Sequence, residues 1–168
     1  MKRIPLDDAE AFEWYQLAAE QGLVSAQFNL GLMCAKGKGV PRDYAEAFKW
    51  YRLAAEQGHA VAQYKVGIMY EAGYGVPLDY AEAVKWYRLA AEQGRADAQH
   101  NLGVMYASGK GVIQDNVYAH MWFNIAASLG SEDAATNRNI VADSMTAEDI
   151  STAQKLAREC VAKNYKGC

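Results

Sequence analysis

The sequence predicts an all-α fold: a solenoid of antiparallel helix pairs recurring every 36 residues and closed by a C-terminal helical cap. Three observations predict it. The nonapeptide Trp14-Tyr15-Gln16-Leu17-Ala18-Ala19-Glu20-Gln21-Gly22 returns at 50–58 and 86–94, with a worn copy at 122–130. Its tryptophans step by 50 − 14, 86 − 50 and 122 − 86, each 36, and a fixed period of this size is the signature of stacked supersecondary units. The stretches 39–58 and 75–94 differ only at Arg42/Leu78 and Phe48/Val84. Finally, the apolar residues lean on Ala, Leu, Tyr and Trp rather than on β-branched types, which favours helix over sheet.

The elements follow in order within one repeat domain, 1–168. Residues 5–22 align with 41–58, so the chain opens on a helix of the second type (B) without a first-type helix (A) before it. Full repeats then occupy 24–58, 60–94 and 96–130. Helix A covers 24–36, 60–72 and 96–108, and ends at a glycine pair: Gly37/Gly39, Gly73/Gly75 or Gly109/Gly111. Glycine there supplies the left-handed conformation that stops a helix. Pro41 and Pro77 keep helix A from running on. Helix B opens at Asp43, Asp79 or Asp115, whose carboxylate accepts from orphan backbone N–H groups. Glu46 and Glu82, three residues on, are expected to complete a capping box. Helix B stops at Gly58, Gly94 or Gly130. Residues 131–168 form the cap: a helix over 132–144, then one opened by Thr146 with Asp149 three residues later and running to about Lys163.

Charge and hydropathy exclude several functions. Net charge is −3, and the basic residues are dispersed. No stripe exists that could neutralise phosphates, so nucleic acid and an anionic membrane surface are not expected partners. No run reaches the roughly 20 apolar residues of a spanning helix, so no membrane insertion is expected. The start, Met1-Lys2-Arg3-Ile4-Pro5-Leu6-Asp7-Asp8, turns acidic before any apolar core and does not read as a signal peptide. A leader already removed would leave no trace.

Helix pairs of this kind are shared by tetratricopeptide arrays, whose period is about 34 residues. The longer unit here carries Leu-Gly-x-Met-Tyr-x-x-Gly-x-Gly-Val at 102–112 and Asp-Tyr-x-x-Ala-x-x-Trp-Tyr-x-x-Ala-Ala-Glu-x-Gly at 79–94. It resembles the Sel-one-like repeat, a tetratricopeptide-like family, over residues 5–130, and the cap resembles those of bacterial members. The resemblance implies a right-handed superhelix that serves as a protein-interaction scaffold; from the residues themselves neither enzymatic activity nor a cofactor is expected. A cysteine-rich branch of the family is linked to β-lactam binding and carries a disulfide in each repeat. This chain lacks those cysteines, so that activity is not implied.

Residues with chemical potential have structural readings. The Trp-Tyr pairs recur at one helical position, as stacking demands, and are expected in the core. The Gly-x-Gly-Val turns follow helices rather than strands and lack the Lys-Ser/Thr of a phosphate loop. His59 falls in a B-to-A loop, His100 on helix A and His120 on helix B, with no metal-pair spacing. No catalytic set and no metal ligands are expected. Cys34 stands where Tyr70 and Tyr106 stand in later repeats and reads as a packed thiol. Cys160 and Cys168 lie outside the repeats. In one continuous helix eight residues span about 12 Å, too far for a disulfide. If the helix stops near Lys163 and the tail folds back, a bond becomes feasible, and it would favour a periplasmic or secreted protein over a cytoplasmic one.

Internal comparison separates fixed from changeable positions of helix A. Counted from Ala26, Ala62 and Ala98, the repeated types occupy one arc of the helix at about 100° per residue, and the changeable ones the opposite arc. The changeable face carries Phe28, Asn29, Leu32 and Lys36, then Tyr64, Lys65, Ile68 and Glu71, then His100, Asn101, Val104 and Ser108. Two readings stand: a concave surface for a peptide or protein partner, or positions that vary because nothing constrains them. The function expected is a non-enzymatic adaptor. Its rivals are a homo-oligomeric module joined through residues 5–22 and an envelope-associated hydrolase or small-ligand binder.

Overall fold

A computed structural model describes residues 7–168, and these form nine helices and no strand. The chain is an all-α solenoid, and it divides into two compact units that meet in sequence at Leu78/Asp79.

The first unit holds α1 (Asp8–Glu20), α2 (Val24–Lys36), α3 (Tyr44–Glu56) and α4 (Ala60–Ala72), each packed against its neighbour in sequence. Helix α2 ends at Gly37, whose φ of 68° turns the chain. The second glycine of this turn has a different duty. A Cβ on Gly39 would lie 2.3 Å from the carbonyl oxygen of Asp8, and one on Gly75 would lie 2.2 Å from that of Tyr44. Each turn is thus pressed onto the first turn of the preceding helix B, where only glycine fits.

The seam between helices A and B is built from a ring and a missing side chain. Tyr51 of α3 is buried against Gly31 of α2, where a Cβ would stand 2.6 Å from the ring. Around it Leu30, Met33, Cys34, Ala47 and Phe48 are buried. The Gln27 amide, also buried, donates to the Ala19 carbonyl at 3.2 Å, and Gln63 repeats the bond to Ala55 at 3.2 Å. These glutamines add a side-chain donor to last-turn carbonyls of the preceding helix that also accept from the N–H groups of Gly22 and Gly58 just beyond it.

The second unit holds α5 (Tyr80–Ala91), α6 (Ala96–Ser108), α7 (Asn116–Ser128), α8 (Glu132–Ala142) and α9 (Ala147–Ala162). Helix α7 packs against α6, α8 and α9, and its Trp122 and Phe123 are fully buried. Phe123 occupies the place of Tyr51, with Gly103 beneath it at 2.5 Å from an added Cβ. Gln99 donates to Ala91 O at 3.1 Å, the third copy of the glutamine bond.

Several expectations are corrected. At 50/51 and 86/87 the second ring is the fully buried one, Tyr51 and Tyr87, while Trp50 and Trp86 are half-buried, Trp50 against the Ala19, Ala26 and Leu30 cluster; at 122/123 both rings are buried, as expected. Successive residues point about 100° apart, so at 50/51 and 86/87 one of the two leaves the seam. On α1, Trp14 is 62% exposed and Tyr15 38% exposed. Asp43 and Asp79 accept from the N–H of Glu46 and Glu82 at 3.0 Å, but the reciprocal half of the box is absent. The Asp43 N–H already donates to the Cys34 carbonyl at 3.0 Å, and Glu46 turns to Lys49. The full capping box is found at Thr146/Asp149. Helix α8 stops at Ala142, short of the expected 144, because Ser144 N–H and Met145 N–H make tighter bonds back to Val141 and Ala142. The expected N-terminal helix B begins at Asp8 with Asp7 as its N-cap; Pro5 and Leu6 of that element lie outside the described residues.

Candidate functional site

The changeable face of helix A resolves differently in the two units. In the first unit α2 and α4 flank a groove of about 180 Å³. Its walls are Leu32, Ala35 and Lys36 from α2 and Lys65, Ile68 and Met69 from α4. Tyr44 and Tyr51 of α3, with Tyr74 from the turn after α4, also line it. Four residues singled out in the sequence, Leu32, Lys36, Lys65 and Ile68, are therefore brought together.

Two neighbours of the groove, Phe28 and His59, have other tasks. Phe28 stacks on His59 at 4.7 Å between centroids and leans on Tyr51 at 5.6 Å. His59 is the N-cap of α4, its Nδ1 accepting from the Ala62 N–H at 3.1 Å. Asn29, Tyr64 and Glu71 are half-buried on the same helices.

In the second unit the equivalent positions are engaged by the protein itself. His100 Nε2 lies 2.9 Å from Asn137 Nδ2 of α8, and its ring leans on Phe123. Val104 packs against the cluster of Ala119, Phe123, Ala126 and Ala134. Ser108 Oγ donates to the Val104 carbonyl at 2.8 Å, and Asn101 is half-buried.

The tyrosines of the groove escaped sequence reasoning, although a signal was present. Tyr74 sits between Gly73 and Gly75, where the other repeats carry Lys38 and Lys110. It stacks on Tyr44 at 5.2 Å, whereas in the second unit Lys110 lies over Tyr80 at 5.3 Å from the ring centre. A change of type at an otherwise fixed turn marks this position. Tyr51 is held as a neutral phenol, its pKa pushed up to about 12 chiefly by burial and secondarily by the adjoining Cys34 thiol.

Among the described residues no group of three or more His, Cys, Asp or Glu side chains is placed to hold a metal. Burial, then the Glu46 and Asp43 carboxylates, pushes the Cys34 thiol up, leaving an unreactive neutral sulfur. No described helix is long and apolar enough to cross a membrane.

Cys160 and Cys168 are bonded in the structure, with Cα atoms 5.6 Å apart. Helix α9 stops at Ala162, and Asn164 and Tyr165 take φ of 52° and 65° to reverse the chain. The Tyr165 N–H donates to the Cys160 carbonyl at 2.9 Å, and the ring rests on Gly94. The Gly167 N–H reaches the Glu92 carboxylate at 3.4 Å.

Comparison with known proteins places this architecture. The model of the Sel1 repeat matches four times, at 2–23, 24–59, 60–94 and 96–131. A protective antigen of uropathogenic Escherichia coli strains, displaying an SLR fold, is similar at 47% identity and a TM-score of 0.75 over 76% of this chain and 27% of its own. A Sel1 repeat protein from Oxalobacter formigenes is similar at 44% identity and a TM-score of 0.73, over 75% of this chain and 52% of its own. Helicobacter pylori cysteine rich protein B shares 26% identity and a TM-score of 0.61, over 77% of this chain and 93% of its own. This chain thus spans about a quarter and about half of the first two structures. No curated protein matches. Four consecutive repeat matches cover well over half of the sequence, and the chain belongs to the Sel1 repeat family.

Proposed function

We propose that this chain is a non-enzymatic protein-interaction module whose helix-A face holds a peptide or protein segment. Proteins built from these repeats generally act as interaction scaffolds, which supports the reading at the level of the family. The observation that carries it is the groove between α2 and α4, where Leu32, Ile68 and Met69 meet Tyr44, Tyr51 and Tyr74. At about 180 Å³ it lies below the 300–1,000 Å³ typical of small-molecule sites. It has the size to take one or two side chains of a longer partner, and aromatics flanked by polar groups suit such anchoring. The test is capture from a lysate of the source organism by the chain and by a Leu32→Asp, Ile68→Asp variant of equal helicity. A protein retained by the first and lost by the second supports the groove; equal retention removes it.

A second reading rests on α1, where Trp14, Tyr15 and Leu17 are exposed. The same face in α3 and α5 buries its tyrosine, so α1 carries an exposed apolar face that suits a second copy of the chain. Self-association through residues 5–22 is the form this reading takes. Light scattering separates it from a monomeric adaptor, because a mass independent of concentration rules it out.

The bonded Cys160–Cys168 pair supports a periplasmic or secreted location, since such bonds persist in oxidising compartments. Alkylation of intact cells before lysis tests this: two modified thiols on the C-terminal peptide would remove the support.

A further inference from the structure

We infer that the groove of the first unit selects an acidic peptide segment, seating an aliphatic side chain between Leu32, Ile68 and Met69 while carboxylates beside it pair with Lys36 and Lys65. The inference rests on the interaction reading above and adds the chemistry of the partner.

Charge is the first ground. The chain as a whole is acidic, at −3. Yet among the described residues the charged ones that line the groove are the two lysines, one on each wall. Neither has an ion-pair partner among the described residues, unlike Lys49 and Lys85, which are held by Glu46 and Glu82 on the same helix. Lys36 is exposed, and Lys65 is half-buried with its ammonium 6.0 Å from the Tyr64 ring centre. Two unneutralised cations facing each other across an apolar floor favour an occupant that brings negative charge.

The donors around the floor agree. Lysine donates and never accepts. Tyr51 lines the groove with its phenol kept protonated, and among the described residues no hydrogen bond engages its hydroxyl. Lysines and a phenol that lacks a partner present donors to whatever enters. Carboxylates and peptide carbonyls answer them; a lysine-rich segment does not. The floor supplies the complementary apolar requirement, because Ile68 and Leu32 are half-buried and Met69 beside them is buried. Methionine adapts to side chains of differing shape. The Tyr44–Tyr74 stack closes one end with two rings that remain 38% and 50% exposed.

The test selects a phage-displayed library of random peptides on the full chain, then measures a fluorescein-labelled synthetic copy of the most enriched sequence by anisotropy. Enriched sequences are expected to place Asp or Glu beside Leu, Ile, Val or Phe. A Lys36→Glu, Lys65→Glu variant should bind the copy about tenfold or more weakly, and a copy whose acids are replaced by Lys should regain binding to that variant. This charge exchange also shows that the variant is folded. Enriched peptides that are neutral or basic, yet lose binding on Leu32→Ala, Ile68→Ala, would overturn the acidic assignment while leaving the groove in place. Peptides indifferent to both variants, or no enrichment at all, would overturn the groove and the assignment together.

Discussion

At the scale of single residues the repeats are held by absences as much as by side chains. Gly31 and Gly103 sit mid-helix, where glycine costs about 1 kcal/mol relative to alanine, because the rings of Tyr51 and Phe123 lie where a Cβ would be. Gly103→Ala is therefore expected to destabilise the protein by about 1–3 kcal/mol despite its better propensity, read as a lower midpoint in urea; an unchanged or raised midpoint would show that the ring can move. Gln99 presents the reverse case. In the first unit the Gln27 carbonyl oxygen accepts from the Gln57 amide at 2.7 Å. The residue one period on from Gln93 is Leu129, and the buried Gln99 Oε1 has no hydrogen-bond partner among the described residues. Leu129 is itself 45% exposed. Leu129→Gln should restore the pair and stabilise the second unit by about 1 kcal/mol, measured by thermal unfolding. A loss of stability would mean that Leu129 contributes more through its apolar contacts than the amide does.

At the scale of elements, what the sequence revealed was what repeats locally. Helix A was bounded at 24–36, 60–72 and 96–108, and the helices run Val24–Lys36, Ala60–Ala72 and Ala96–Ser108. The glycine stops and aspartate N-caps that set those limits act within a few residues, so a local pattern contains them. The half-formed box at Asp43 was hidden because its N–H is taken by Cys34, nine residues back and across a turn. The groove was half legible for the same reason. Leu32, Lys36, Lys65 and Ile68 vary on one helical face, which periodicity exposes. That Tyr74 would lie on Tyr44 depends on how one turn packs on another helix, which no spacing records. The C-terminal tail lies at the same limit, since only a reversal after Ala162 brings Cys168 back to Cys160. Closing this short loop is expected to contribute about 2 kcal/mol. Reductant should lower the melting temperature of the native chain and leave that of Cys168→Ser unchanged; equal melting with and without reductant would show that the tail adds nothing to the fold.

At the scale of the whole molecule stability depends on how each unit meets changes in solvent, and the second unit carries a proton-sensitive element. His120 on α7 is buried, its Nδ1 has no hydrogen-bond partner among the described residues, and it lies in the field of Arg138. Desolvation first, and the Arg138 guanidinium second, hold its pKa below the ordinary 6.5. Arg138 is fixed nearby by its bonds to Asn124 and Asn139, so it does not retreat when the ring is charged. The unfolded chain therefore takes up a proton before the folded one as pH falls. The stabilisation is fully present above about 6.5 and declines as pH drops from there toward the depressed folded value, below which it is constant. Net charge sets the background: a chain at −3 near neutrality grows less negative over the same range, so general repulsion cannot account for a loss. Urea unfolding followed by circular dichroism at pH 7.5 and 5.5 should show a lower midpoint at the acid end. His120→Leu, which keeps the site filled without a titrating group, should flatten most of that difference. If the variant retains the full pH dependence, the acid sensitivity belongs to other groups, and the buried imidazole is a packing residue alone.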